Sequence, residues 1–243
     1  MLDNDKKLIV FQAQTRNVQE LQATWRHLKR SLHRDLVAGN LTSAAALTRL
    51  LALTYCAWTE TLFSKLIHTP YGFDCQEIES IKSLAKNNIV LGWGRCVELA
   101  LVHVVSSSVS DISSAKKALN DLVKTYIQEP SQLRNKIAHG QIVVALNSKN
   151  DDINSKLTGE ISSLDIVKLD RLRAGATGLA NMIEMLIESP EKTGMKNFQK
   201  VSKEIVADLN AMSSFTMIAK IALLKTKTSR SPRNIAGVVI SED

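Results

Sequence analysis

The chain has little cysteine, little proline and few aromatic residues: 3 Cys, 4 Pro and 5% Phe, Trp and Tyr among 243 residues. Cys56, Cys75 and Cys96 stand far apart, no two in CxxC spacing, and their number is odd. That argues against a disulfide framework and a tetrahedral zinc site, and it suits a reducing compartment. Four prolines and 10 Gly supply too few turns for an all-β sandwich, which needs turn residues about every 8–12 positions. No run of about 18 residues lacks a charge. The two most apolar regions carry Arg49 and Glu60, and Arg95 and Glu98. A membrane span is therefore not expected. The opening MLDNDKK leads into a polar helix pattern rather than an apolar signal core, so the expected location is the cytoplasm.

What is present is ordinary globular material, 44% hydrophobic and 23% charged. The length allows one or two domains with a real core. Net charge is +7 and the sequence pI about 9.3. A basic excess concentrates anions near the surface, although it also serves plain solubility.

Long stretches without breakers predict helices. The first runs from about Asp5 to Val37. At 100° per residue, Leu21, Trp25, Leu28, Leu32 and Leu36 form one stripe. Arg26, His27, Lys29, Arg30, His33 and Arg34 occupy an arc of roughly 160° beside it. Gly39-Asn40 ends this helix, and Thr42 or Ser43 is a candidate cap for the next. A helix over Ser43–Ile67, apolar on nearly all sides, reads as buried and central. Helices follow over Asp74–Asn87, Ile89–Val105 and Ser113–Ile127. Glu129-Pro130-Ser131 opens another, with proline where its missing N–H costs nothing, and Gly140 stops it. Gln141–Leu146 is β-like, and a short hairpin returning through Leu157–Ile161 is expected. Asp165–Ile187 is a helix with a small-residue patch, broken by Ser189-Pro190. Glu191 to about Lys225 reads as one last long helix. The basic stretch KTKTSRSPRN then begins a flexible tail. The expected organisation is a helical domain over 1–190, a helical extension over 191–225 and a tail over 226–243.

The segment Leu133–Gln141, LRNKIAHGQ, is the most informative. Asn135 and His139 are four apart and share a helix face. Arg134 precedes His139 by five residues, about 7.5 Å along the axis, and its side chain is long enough to swing back. A guanidinium, an amide and an imidazole near one helix end suit phosphodiester cleavage. Arg134 offers a permanently charged fork for phosphate oxygens, and His139 can carry a proton near neutral pH. A histidine before a helix-ending glycine also commonly serves only as a cap. No carboxylate cluster is placed to hold a metal, and no cofactor is expected.

LRNKIAHG resembles the Arg-x(4–6)-His signature of the HEPN superfamily in its form Arg-Asn-x-x-x-His. The resemblance covers about residues 40–190. It implies an all-α, up-and-down bundle of four or five helices, usually a homodimer. Many members are metal-independent ribonucleases of toxin–antitoxin, phage-defence and RNA-processing systems. It also implies Arg134 and His139 as catalytic residues, oriented by Asn135, with two protomers bringing their signatures together across a shared cleft. Tyr55-Cys56-Ala57-Trp58-Thr59-Glu60 is similar to an aromatic-then-Glu pattern on an earlier helix of several such families. Glu60 stands alone on an apolar helix and either partners Arg134 or faces water at the helix edge. The implied partners are RNA, a second copy and a cognate antitoxin or regulatory protein.

Arg26, Lys29, Arg30, His33, Arg34 and Lys136 are the candidate RNA-backbone contacts, with a merely solvated face as the alternative. His68 reads as a local cap and His103 as a satisfied core histidine. Arg95 and Glu98 read as a helix pair, and Cys56 and Cys96 as core thiols.

Overall fold

The apolar stripe of the first helix becomes its inner face. In the computed structural model, which describes residues 2–104, 108–188 and 194–229, this helix is α1 (Asn4–Ala38). Trp25, Leu32 and Leu36 are buried along it. Asp3 caps it by accepting from Lys6 N, and Gly39 ends it in the left-handed region at φ 76°, a conformation that suits glycine. Asn40, not Thr42 or Ser43, caps α2 (Leu41–Ile67), accepting from Ser43 N. Ser43 instead donates its hydroxyl to Asp35.

The two-residue link folds α1 and α2 into an antiparallel hairpin. Gln14 near the start of α1 bonds Ser64 near the end of α2. Lys7 is buried and donates its ammonium to the carbonyls of Pro70 at 2.9 Å and Phe73 at 2.7 Å. Burial and the loss of water lower the pKa of that ammonium. Two buried carbonyls beyond α2 are thus satisfied by a cation from the first turns of α1.

A second hairpin follows, α3 (Cys75–Asn87) and α4 (Ile89–Val102). A capping box of Asp74 and Glu77 starts α3. Glu77 also accepts from His103 Nε2 at 2.8 Å, so His103 is partnered by a carboxylate as well as set against the Phe73 ring. Gly92 lets α4 approach α3, since a Cβ there would sit 2.5 Å from the Ala85 methyl. Arg95 and Glu98 pair at 3.2 Å, as their spacing predicts.

Next come α5 (Val109–Val123), a five-residue π-helical stretch (Lys124–Gln128) and α6 (Glu129–Ala138), then α7 (Ser155–Ser162), α8 (Ile166–Glu188), α9 (Gly194–Ser213) and α10 (Met217–Ser229). The central element is α8, packed against α2, α4, α5 and α9. Its residues Leu169, Ala176, Leu179, Met182, Ile183 and Leu186 are buried in the common core. Arg173 of α8 lies between the rings of Trp25 and Trp58, 5.2 and 5.0 Å from their centroids, tying α8 to the α1–α2 hairpin by cation–π attraction. The chain is an all-α helical bundle.

Three expectations are corrected. The hairpin after the signature helix is absent among the described residues. A single antiparallel bridge joins Leu146 to Ile153, and Leu157–Ile161 belongs to α7, which Asn154 caps through Leu157 N. Leu157 and Ile161, four apart, are the buried face of a helical turn. The last helix is two, because the chain bends by 92° between α9 and α10. Thr216 Oγ1 accepts from Ala219 N and starts α10 afresh. Helix α10 also continues to Ser229, into the segment expected as tail, whose residues 230–243 lie outside the described ones. Among the described residues no single helix is long and apolar enough to cross a membrane.

Candidate active site

The signature helix is held from both ends. At its start, Tyr126 and Ile127 of the π-helical stretch are buried, and the Tyr126 ring lies against Gly175 of α8. At its end, Gly140 takes φ 81°, and Gln141 N donates back to Lys136 O at 2.9 Å. Leu133 and Ile137, four apart, turn toward the core. Arg134 and Asn135 consequently point across the gap between α6, α2 and α3.

That gap is an open groove of about 1040 Å³. Glu60 and His68 of α2, Lys82 and Lys86 of α3, and Arg134 and Asn135 of α6 line it. Arg134 Nη1 donates to Glu60 Oε1 at 3.1 Å. The guanidinium is largely covered, with its side chain 15% exposed, whereas the Glu60 side chain is 65% exposed. The pair therefore holds a cation at the groove wall with a carboxylate that water and ligands can reach. Behind it, Cys56 Sγ donates to the Arg134 carbonyl at 3.7 Å. Burial pushes the Cys56 thiol up to about 12 and raises the Tyr55 phenol as well, so neither ionises near neutrality.

Of the four residues expected in the site, Arg134 and Glu60 touch, and Asn135 lines the same groove. His139 stands apart. It is the C-cap of α6, its backbone N–H donates to Asn135 O and Ile137 O, and its side chain is exposed. The imidazole has no hydrogen-bond partner among the described residues and is not part of the groove lining. Within one chain the guanidinium and this imidazole do not share a pocket wall.

The groove contains a histidine that sequence reasoning assigned only a local role. His68 donates through Nδ1 to Ser64 O at 2.7 Å, and burial lowers its pKa. Its ring is neutral near pH 7, with Nδ1 carrying the proton. The available signal was the spacing of Glu60, Ser64 and His68, four residues apart along one face of α2. Lys82 and Lys86 carried no comparable signal, because their relation to Arg134 arises only when α3 packs beside α2.

The basic residues of α1 do not border this groove. Arg26, Arg30 and Arg34 are exposed on the surface of α1. Lys29 is bound to Asp170 of α8 at 2.6 and 2.7 Å. His33 is partly buried with Nε2 unpartnered, and burial together with Lys220 and Lys29 lowers its pKa to about 4. Lys136 is engaged structurally, donating to Asn147 O at 3.3 Å and holding the loop after α6. Among the described residues no group of three or more His, Cys, Asp or Glu side chains is gathered as a metal site would require.

Comparison of the chain with protein-family models, with curated proteins and with solved structures finds no match.

Proposed function

We propose that the protein is a metal-independent endoribonuclease of the HEPN kind, acting as a homodimer, with a toxin or antiviral-defence role. The observation that carries the reading is the Arg134–Glu60 ion pair at the wall of an open groove, on a helix whose sequence bears the signature. A largely covered guanidinium with one exposed carboxylate partner is ready to exchange that carboxylate for a phosphate.

In the reaction, the ribose 2′-oxygen forms a bond to the adjacent phosphorus and the bond from phosphorus to the 5′-oxygen breaks. Arg134 stabilises charge on the phosphorane oxygens. His139 moves the proton from the 2′-hydroxyl toward the departing 5′-oxygen. The products carry 2′,3′-cyclic phosphate and 5′-hydroxyl ends, and DNA is spared for want of the 2′-hydroxyl. Since His139 is not in the groove lining of its own chain, its contribution comes through pairing with a second copy.

The test is RNA incubated with purified wild type, Arg134→Ala and His139→Ala in the presence of chelator. Cyclic-phosphate ends from wild type alone are expected, together with growth arrest on induction that His139→Ala abolishes. Cleavage by His139→Ala at the wild-type rate refutes the mechanism. The exposed, unpartnered position of His139 favours one second reading, a HEPN-like module that binds RNA or nucleotides without turnover. Salt-dependent RNA binding with no cleavage by the isolated chain selects it.

A further inference from the structure

The basic face of α1 is extended by a helix that sequence reading left without a role. The bend of 92° after α9 lays α10 against α1 and α8. Lys220 Nζ thereby comes to 3.8 Å from Asp170 Oδ2, the same carboxylate that binds Lys29. One anion serves two ammonium groups. Lys227 follows Lys220 by seven residues, on the same face of α10, and its charge is felt at both Lys220 and His33. On α1, Arg26 and Arg30 stand one turn apart, about 6 Å along the axis. Arg26 donates only to the Gln22 carbonyl, and Arg30 forms no ion pair among the described residues. A groove of about 380 Å³ runs beside them, lined by Ala23, Arg26, Lys29, Arg30 and His33.

We infer that α1 and α10 together form a second nucleic-acid backbone site, separate from the Arg134 groove, which engages the phosphates of single-stranded RNA through Arg26, Lys29, Arg30, Lys220 and Lys227. Lys29 and Lys220 share the Asp170 carboxylate, and Arg26, Arg30 and Lys227 form no ion pair among the described residues, so this face carries an excess of positive charge that a polyanion relieves. The cations are strung along two helices rather than focused on a point, which suits a chain of phosphates more than a single small anion. A membrane surface fits less well. Ile218, the most exposed apolar residue of α10 at 83%, lies about 200° around the axis from Lys220, away from the basic groove. The inference rests on the RNA-binding part of the proposed function and not on cleavage.

The test uses the full chain in a His139→Ala background, which removes cleavage, with a fluorescent oligouridine of about 20 nucleotides read by polarisation across a salt series. Lys220→Gln/Lys227→Gln is expected to weaken binding about tenfold near 0.1 M salt. The slope of log affinity against log salt should fall by about 1.4, or roughly 0.7 per lost contact. Arg26→Gln/Arg30→Gln, at exposed positions that leave the core untouched, should do the same. Lys116→Gln/Lys117→Gln on α5 removes equal charge and should leave both quantities unchanged. Equal loss in the α5 variant, no loss in either site variant, or no RNA binding at all overturns the site, as does retention on phosphatidylserine vesicles without RNA binding. Binding lost in the site variants by a protein whose wild type never cleaves RNA sustains this site and sinks the catalytic reading.

Discussion

Gly175 supplies a sharp test of how the signature helix is seated. A Cβ at this position would lie 2.2 Å from Cδ1 and 2.3 Å from Cγ of Tyr126, against an ordinary carbon–carbon contact of about 3.5–4.0 Å. Tyr126 is buried, 9% exposed, within the π-helical stretch, so the ring cannot yield without moving the start of α6. Overpacking of this kind costs about 1–3 kcal/mol, and a buried aromatic ring against a helix belongs at the upper end. Replacing a mid-helix glycine by alanine returns about 1 kcal/mol. The net destabilisation by Gly175→Ala is therefore about 2 kcal/mol. A change of 1 kcal/mol moves Tm by about 2–4 °C in a protein of this size, so a fall of about 4–8 °C is expected in thermal denaturation followed by circular dichroism. Gly94 of α4 has nothing within 4 Å of its ideal Cβ, and Gly94→Ala should raise Tm by about 1–4 °C through chain entropy alone. The same chemical change thus carries opposite signs at two helical glycines. Were Gly175→Ala to stabilise as Gly94→Ala does, the packing of Tyr126 on α8 would be refuted. In the double variant with Tyr126→Leu, part of the loss should be recovered, a coupling of about 1 kcal/mol between the two sites.

Three other outcomes follow from the buried and partnered charges. The folded chain holds His33 at about 4 from a usual 6.5, so between those values the unfolded chain binds the proton and the folded one does not; stability rises with pH through that window and falls on acidification, and urea melts of His33→Gln should show a flatter acid-side slope. Lys7→Met leaves the Pro70 and Phe73 carbonyls without their buried donor and should cost about 2–3 kcal/mol, read as a lowered urea midpoint at unchanged slope. Glu60→Gln removes a mostly exposed carboxylate, so stability should change by less than about 1 kcal/mol, while RNA binds several-fold more tightly because phosphate no longer competes for Arg134; unchanged or weaker binding would count against phosphate exchange at this pair.

Much of the helical order was legible because the signals are local. The α1 stripe, the glycine stops at Gly39 and Gly140, and the proline start of α6 each act within one or two turns. The Glu60–Arg134 pair was expected from a carboxylate on an apolar helix and from the resemblance that sets an acidic residue near the signature; both alternatives hold in part, since Glu60 pairs with Arg134 and is also 65% exposed at the helix edge. What escaped was decided by packing or by competing local rules. Gln141–Leu146 has β-like residues, but Gln141 folds back, its side chain accepting from Leu146 N at 2.8 Å. Ser213-Ser214-Phe215-Thr216 looked like a tolerable stretch of helix, yet the Phe215–Thr216 turn with Thr216 as a new cap breaks it. The separation of the α1 basic face from the Arg134 groove depends on where α8 and α10 settle, which no spacing along α1 encodes. The position of His139 outside the groove was not legible, because a spacing of four places it on the face of Asn135 but does not say how far along α6 the groove extends, and its lining stops at Asn135.

The wider turn between α5 and α6 sets the phase of everything after it. Each residue advances an α-helix by about 100° and the wider π-helical turn of Lys124–Gln128 by roughly 80°, so rewinding the same five residues as an α-helix would rotate the following helix by about 100°. Arg134 would be carried away from Glu60, and a core position would take its place, with the signature itself unaltered. Any chain sharing LRNKIAHG and as many residues upstream, but wound there as plain α-helix, would display the same motif to a different neighbour. The function proposed for these residues thus depends as much on how the stretch before the motif is wound as on the motif.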